Sequence, residues 1–266
     1  MADVTLIMIY IQIATVISCL LASSVMDFLK REVSDIPWIV MGAEGLITTI
    51  LTIVFTDNRS QVGTAVGINL AVGLVIGYLL YYTGVMGGAD AKALMALSVN
   101  AVYPHFFEFT QAEIYGIMPF VFNTFFNWLL VMIVFYPLPL LGYNIYKKAK
   151  GEKLFVETNA NFASKILMLI SGYLVPVEKA KNRHDVVYSE IFDEEEKKWE
   201  IKHFLQVQEI EEEDEFKKEI EGFITETKRT KIWIKVLPPG IVFLLLGYIV
   251  NILIGNVLFL IYHFTL

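Results

Sequence analysis

The nine residues Met86–Leu94 read MGGADAKAL, and they place an aspartate and a lysine between two apolar segments. The segment before them, Thr64–Thr83, is long enough to cross a bilayer as a helix. The segment after them, Ala91–Tyr103, is shorter and begins with small residues. A flexible linker tolerates charges anywhere, whereas these charges fall where the chain would enter a membrane. The fold therefore depends on whether Ala91–Tyr103 is a further crossing.

The amino-acid composition predicts a membrane protein. Of the 266 residues, 56% are hydrophobic, and the mean hydropathy is +0.57. A soluble domain of this length normally has enough polar residues to cover its surface, so this excess of apolar residues indicates a non-aqueous environment. Further apolar runs approach or exceed the roughly 20 residues of a transmembrane helix, and these are Val4–Val25, Pro37–Phe55, Ile117–Tyr143 and Leu237–Phe264. We therefore expect an all-α polytopic membrane protein with six transmembrane helices.

The positions of Lys and Arg predict how the helices are oriented. The first, third and fifth spans are each followed by basic residues, namely Lys30 and Arg31, then Lys92, then Lys147, Lys148, Lys150 and Lys153. The other loops between spans hold only Arg59. This alternation satisfies the positive-inside rule for an even helix count only if Ala91–Tyr103 is a crossing. We therefore expect a multi-pass protein of the cell membrane with both termini outside.

The first span is expected to stay in the protein rather than to act as a cleavable signal peptide. Met-Ala-Asp-Val precedes it and supplies no basic region, and the apolar run is too long for a signal peptide. The domain organisation that follows has three parts. We predict a membrane domain over residues 1–146 that carries five helices, a cytoplasmic segment over 147–235, and the sixth helix over 236–266.

The cytoplasmic segment is predicted to fold as a small α+β appendage. An amphipathic helix over Asn161–Val177 would lie along the membrane interface. Alternation with a period of two predicts strands at Val187–Phe192 and Trp199–Val207, and a helix is expected over Glu215–Thr227.

Two aspartates occupy corresponding places at the cytoplasmic ends of their helices. Asp27 ends the first span and Asp90 opens the fourth, so the charge pattern puts both at nearly the same depth. If the two carboxyl groups meet, both cannot stay ionised, and one keeps its proton while the other acts as a base. One carboxylate can then remove a proton from water while the other protonates a carbonyl oxygen. This is the arrangement of an aspartic protease.

The glycines beside Asp90 suit such a site. Gly87 and Gly88 permit a close approach by an extended substrate strand, and Ala89 leaves room around the carboxylate. A helix N-terminus also favours an ionised Asp90. The simpler alternatives are that Asp90 is only an N-cap and that Asp27 only pairs with the basic residues that follow it.

The stretch GGADAKALMAL resembles the second aspartate motif of the Gly-x-Gly-Asp intramembrane aspartic proteases, in the branch of type IV prepilin peptidases and archaeal preflagellin peptidases. The stretch SSVMDFLKREVSDIPWI is similar to the first aspartate region of that branch. The second glycine of the motif is Ala89 here, which is still a small residue. The resemblance covers the whole membrane pattern and implies that Asp27 and Asp90 are the catalytic pair.

The resemblance also separates the two branches of the family. Bacterial prepilin peptidases typically carry a four-cysteine zinc segment and methylate their product, whereas this chain has a single cysteine, Cys19. The archaeal branch therefore fits better. It implies an aspartic endopeptidase that removes a short basic leader from preflagellin or prepilin-like precursors on the cytoplasmic side. Those precursors and the lipid bilayer are the expected partners, with no nucleic acid, metal or organic cofactor.

Three further charged residues are candidates for substrate binding or support. Lys92 either tunes the field near Asp90 or reaches the lipid headgroups. Asp35 lies in the loop after the first span and is a candidate for docking a basic leader. Glu44 lies about a third of the way into the second span, where an acid usually faces the bundle interior or a water cavity.

Two other functional classes remain open from the sequence. In a proton- or cation-coupled transporter, Asp27, Asp90 and Glu44 would form a pathway, although no internal repeat of the kind common in transporters is visible. In an assembly scaffold, the acidic cytoplasmic segment would recruit partners. Finally, Pro238–Pro239–Gly240 opens the last span, either as an altered helix start or as part of a helix that moves for substrate.

Overall fold

The structure is a computed structural model of the chain. It describes residues 2–30, 32–84, 86–100, 118–155, 158–181, 186–194, 197–201, 220–236 and 238–257. These residues are mostly helical, and the chain divides into two compact units. The first unit, the membrane unit, comprises residues 1–132 and 239–266, and the second, the appendage unit, comprises residues 133–238.

The elements follow one another in this order: α1 (Ala2–Lys30), α2 (Ile36–Phe55), α3 (Arg59–Tyr82), α4 (Gly88–Leu97), α5 (Phe120–Phe135), α6 (Pro137–Ala149), β1 (Thr158–Asn159), α7 (Phe162–Ser171), β2 (Gly172–Pro176), α8 (Val177–Lys181), β3 (Val186–Tyr188), β4 (Glu190–Asp193), β5 (Lys198–Ile201), α9 (residues 220–227), β6 (Lys231–Val236) and α10 (Gly240–Leu253).

Four segments of the described chain are long and apolar enough to cross a membrane, namely Val4–Lys30, Ile36–Phe55, Arg59–Tyr82 and Phe120–Ala149. They bear large apolar side chains that stay exposed, such as Leu29, Ile39, Ile47 and Tyr82. A soluble protein rarely exposes so much contiguous apolar surface, whereas lipid covers it without cost. The prediction of a helical membrane protein is thus confirmed.

The other two predicted spans are shorter helices. The ten residues of α4 reach about 15 Å and the 14 residues of α10 about 21 Å at the usual helical rise. Residues 101–103 and 258–264, which the sequence assigns to these spans, lie outside the described residues. The prediction of a continuous helix over Leu237–Phe264 is wrong, because α10 ends at Leu253.

Side chains of α5 explain why α10 ends there. Gly255 adopts a φ of 89°, which a glycine reaches without strain. Asn127 Nδ2 donates to the Gly255 carbonyl oxygen (2.7 Å), and the Val257 N–H donates to Asn127 Oδ1 (3.2 Å). Non-helical backbone at membrane depth needs such partners, because lipid offers none. Asn251 Nδ2 and Asn256 Nδ2 also donate hydrogen bonds to side chains of α5.

We expect Asn127→Leu to destabilise the membrane unit. The leucine removes the partners of one buried carbonyl and one N–H, and each unsatisfied group costs about 1–3 kcal/mol. The thermal unfolding midpoint of the full chain in detergent should fall accordingly. Asn58→Leu is the matched control, because Asn58 is exposed and its side chain makes no cap hydrogen bond. Equal midpoints for the two variants would contradict this role of Asn127.

Helix α4 is buried among helices that present glycines to it. A Cβ at Gly45 of α2 would lie 2.6 Å from Asn100 Nδ2, and one at Gly77 of α3 would lie 2.6 Å from Met95 Cγ. Asn69 of α3 adds a polar link, since its Nδ2 donates to the carbonyl oxygen of Ser98 (2.6 Å). Small residues let helices pack this closely in a membrane. The C-terminal end of α4 is therefore packed closely against both α2 and α3.

The appendage unit contains two three-stranded sheets. One has the order β1-β5-β4, and the other has the order β2-β6-β3 with β6 antiparallel to both neighbours. The central strand β6 is buried on both faces: Ile232 and Ile234 belong to one apolar core, and Trp233 belongs to a second core with Met168 and Leu174. A strand alternates its side chains between two faces, so β6 joins the two cores.

The appendage is α+β as expected, but its boundaries differ from the prediction. Of the predicted helix Asn161–Val177, Phe162–Ser171 is helical, whereas Gly172–Pro176 pair with β6 as strand β2 and Val177 begins α8. The predicted strand Val187–Phe192 is two strands in different sheets, β3 and β4. Residues 202–207 and 215–219 of the other predicted elements lie outside the described residues, while 198–201 are a strand and 220–227 a helix.

Candidate active site

The helices that carry Asp27 and Asp90 are brought together by α10. Helix α10 packs against both α1 and α4, and α2 packs against the same two helices. Each of these four helices carries fully buried apolar side chains, such as Leu20 on α1, Met41 on α2, Leu94 on α4 and Leu244 on α10. The two aspartates, 63 residues apart in the sequence, therefore belong to a single packed core.

Asp90 lies in the first turn of α4, but it is not the N-cap. The N-cap is Gly87, with φ −62° and ψ 152°. Asp90 is the third helical residue, and its carboxyl group accepts a hydrogen bond from the Gly87 backbone N–H. A side chain at this position often reaches back to the N-cap N–H in this way. The alternative that Asp90 serves only as an N-cap is therefore wrong.

The Asp90 carboxyl group also lies against the first residue of α10. A Cβ at Gly240 would lie 2.5 Å from Asp90 Oδ2 and 2.7 Å from Asp90 Cγ, closer than real Cβ atoms come to other atoms. A Cβ at Gly87 would be 3.7 Å from Oδ2, which is ordinary contact. The carboxyl group thus occupies a seat formed by Gly87 of its own helix and Gly240 of another.

Asp27 lies in the last turn of α1 and is half-buried. Its negative charge acts on the Asp90 carboxyl group. The basic residue Lys30 in the same turn is exposed, and Arg31 lies outside the described residues. Two interacting carboxyl groups share protons as a pair, and this gives the site one acid and one base.

Lys92 and Asp35 lie together at the rim of this site. Lys92 Nζ is 2.7 Å from Asp35 Oδ1, in an ion pair whose side chains are 53% and 59% exposed. Such an exposed pair adds little stability, because solvent screens it. Its effect is geometric, since it joins the start of α2 to the helix that carries Asp90. Gly88 and Ala89 are the first two residues of α4, and both are half-buried.

Glu44 lies apart from the two aspartates, in the interior of the membrane unit. Both carboxylate oxygens are buried, and the Thr48 side chain one turn along α2 interacts with the carboxyl group. Its charge acts on Cys19 of α1 and on Tyr248 of α10. These two residues lie eight positions from Asp27 and from Gly240, or about 12 Å deeper along their helices. The structure does not group Glu44 with Asp27 and Asp90.

Sequence reasoning missed the contribution of Gly240. The sequence identifies Pro238–Pro239–Gly240 only as an altered helix start or as part of a helix that moves for substrate. A sequence does not show which distant residue contacts a glycine. The signal that could have found it is the position of this glycine at the cytoplasmic entry of the last apolar run. That entry lies level with the two aspartates in the predicted orientation.

The chemistry of the site is that of two carboxyl groups at the ends of two helices, beside glycine backbone. Such a pair can move a proton from water to a carbonyl oxygen. Among the residues that the structure describes, no group of three His, Cys, Asp or Glu side chains is arranged to hold a metal ion.

Comparison with known families gives two matches that together span most of the chain. The profile described as the type IV leader peptidase family matches residues 14–138, which include both aspartates. The profile described as archaeal peptidase A24 C-terminus type II matches residues 164–257. The first match therefore covers the site, and the second covers much of the appendage and α10.

Two relatives carry the name preflagellin peptidase. The chain is 30% identical to the preflagellin peptidase of Methanococcus voltae over 172 residues, which are 63% of this chain and 69% of the relative. It is 23% identical to the preflagellin peptidase of Methanococcus maripaludis over 249 residues, which are 89% of this chain and 92% of the relative.

Proposed function

This chain belongs to the type IV leader peptidase family, and from that premise we propose that it removes the leader peptide of preflagellins with Asp27 and Asp90 as the reacting carboxyl groups. The observation that carries the proposal is that the helices bearing these two side chains pack against the same two neighbours, with the Asp27 charge acting on the Asp90 carboxyl group. Their positions fall within the segment that matches the family. The chain is accordingly an endopeptidase, and the transporter alternative is not favoured.

The reaction needs both carboxyl groups. The ionised member of the pair takes a proton from a water molecule, whose oxygen forms a bond to the scissile carbonyl carbon. The protonated member gives its proton to the carbonyl oxygen, which produces a tetrahedral diol. The diol collapses as the carbon–nitrogen bond breaks, the nitrogen takes up the proton held by the first carboxyl group, and one diol hydroxyl returns its proton to the second carboxylate. Both aspartates then return to their starting protonation states.

The orientation of the protein in the membrane is part of the proposal. Six crossings, with α4 and α10 counted among them, put Asp27 and Asp90 at the cytoplasmic face and both termini outside. The three-part organisation into residues 1–146, 147–235 and 236–266 follows from this orientation. Preflagellin or prepilin-like precursors are the proposed substrates, and Asp35 with Lys92 at the exposed rim is proposed to contact the leader.

The test of function follows the conversion of a preflagellin in membranes that contain the full chain. We expect the product to lose its leader at one site, identified by the mass of the new N-terminus. Membranes without the chain are the control. A precursor that keeps its full length with the folded protein present would overturn the proposed activity and would favour the transporter or scaffold alternatives.

The orientation is tested by cysteine labelling in a Cys19→Ser background. Asp57→Cys lies in the loop between α2 and α3, and Lys153→Cys lies after α6; both native residues are exposed. If α4 spans the membrane, three crossings separate positions 57 and 153 and put them on opposite sides. If α4 does not span it, two crossings separate them and put them on the same side. We expect an impermeant maleimide to label position 57 from outside and position 153 only in inverted vesicles. Labelling of both positions from one side would contradict six crossings.

A further inference from the structure

The seat of the Asp90 carboxyl group raises the question of what holds it in place. Gly87 contributes a backbone N–H and ordinary contact. Gly240 makes the closest approach, and all three terminal atoms of Asp90 lie within 2.7 Å of the point where a side chain at position 240 would begin. The carboxyl group therefore fills the space that any other residue at position 240 would need.

The entry to α10 is built to keep Gly240 in a fixed place. Pro239 is the N-cap of α10 with a φ of −72°, near the value to which the proline ring restricts the backbone. Its carbonyl oxygen accepts the N–H groups of Val242 (3.1 Å) and Phe243 (3.4 Å). Further along the helix, Gly247 packs on the backbone of Trp128 in α5. Helix α10 is thus anchored on both sides of its first two turns.

Helix α10 packs against both aspartate-bearing helices, and its first residue lies against the Asp90 carboxyl group. We propose that Gly240 is a positioning residue for cleavage: its lack of a side chain lets α10 seat the Asp90 carboxyl group where it meets Asp27. This inference rests on the proposed function. It assigns a role to the last helix, which lies far in the sequence from both aspartate motifs.

The chemistry of the contact predicts which property changes on substitution. The atoms that meet position 240 are the end of a short side chain with free rotation, not backbone. An alanine there is accommodated when the Asp90 carboxyl group rotates away, so the fold survives while the pair is separated. A misplacement of about 1 Å in a catalytic group costs about 100-fold in rate. The expected loss therefore falls on kcat rather than on folding.

The experiment compares Gly240→Ala with two glycine controls in the full chain. We expect kcat for leader cleavage to fall about 100-fold with KM unchanged. Gly42→Ala should match the native protein, because nothing lies within 4 Å of its added Cβ. Gly247→Ala clashes with the Trp128 backbone instead of Asp90, so it should lower the unfolding midpoint. A native kcat for Gly240→Ala, while the unaltered protein cleaves, would overturn the inference alone.

If Gly240→Ala does not fold, a second measurement tests the contact between position 240 and the Asp90 carboxyl group. The double variant Gly240→Ala/Asp90→Ala removes the carboxyl group that occupies the seat, so it should recover the unfolding midpoint of Asp90→Ala. Substitutions at two residues in contact show such coupling, whereas the effects of substitutions at distant residues on the free energy of unfolding are additive. An equal loss of stability from Gly240→Ala in both backgrounds would overturn the inference. Absence of cleavage by the unaltered protein would instead overturn the proposed function.

Discussion

Asp90→Asn and Asp27→Asn each abolish leader cleavage, with an expected fall in kcat of about 10⁴-fold or more. Asparagine keeps the size of the side chain but can neither accept the proton of water nor supply one to a carbonyl oxygen. Either substitution therefore removes one half of the acid–base pair. Single-turnover cleavage of a preflagellin by the full chain in detergent, followed by the mass of the product, gives the rate.

Two comparisons make this result specific to the pair. Asp35→Asn is the matched control, because Asp35 is an exposed aspartate at the rim of the same site. Its effect should be confined to KM if it contacts the leader. The double variant Asp27→Asn/Asp90→Asn should be no slower than either single variant, since residues that act as a unit are not additive. Substantial cleavage by either single variant would exclude the two-carboxylate mechanism.

Glu190→Ala is expected to unfold much of the appendage unit. Glu190 is fully buried, and its Oε1 accepts a hydrogen bond from Arg229 Nη2 (2.6 Å) while its Oε2 accepts the N–H of Trp233 (2.9 Å). Burial raises the pKa of Glu190, whereas Arg229 and Thr158 act in the opposite direction. The alanine leaves the buried guanidinium without its carboxylate, at a cost of roughly 3–5 kcal/mol.

The loss can be measured by pulse proteolysis of the full chain in urea, which reports the population of the open appendage. Glu178→Ala is the control, because Glu178 is an exposed acid on α8. Replacing both partners, with Glu190→Leu and Arg229→Met, should cost less than Glu190→Ala alone, since no charge is then left buried. A native urea midpoint for Glu190→Ala would contradict the importance of this ion pair.

The membrane helices were predictable because their signal is local. A run of about 20 apolar residues satisfies its backbone within one helix, so the sequence alone identifies it. α1, α2 and α3 occur close to the expected positions. The end of α10 was not predictable, because Asn127 and Gly255 decide it and they are 128 positions apart.

The strands of the appendage show the same limit. The alternation around Trp199 indicated a strand, since that strand has one face turned to the core. β6 was missed because it is buried on both faces and reads as a short apolar run without alternation. Its neighbours β2 and β3 come from separate parts of the chain, so the pairing is a tertiary property.

For the candidate site, the amino-acid types alone predict which residues are candidates for the chemistry. Asp27 and Asp90 are charged residues in apolar surroundings. A charged side chain in a membrane costs free energy, so such residues stand out in a single sequence. The three-dimensional packing of distant helices determines that Lys92 pairs with Asp35 and that Gly240 faces Asp90. A charge is visible from its own residue type, whereas a contact with a glycine depends on which distant helix the packing brings beside it.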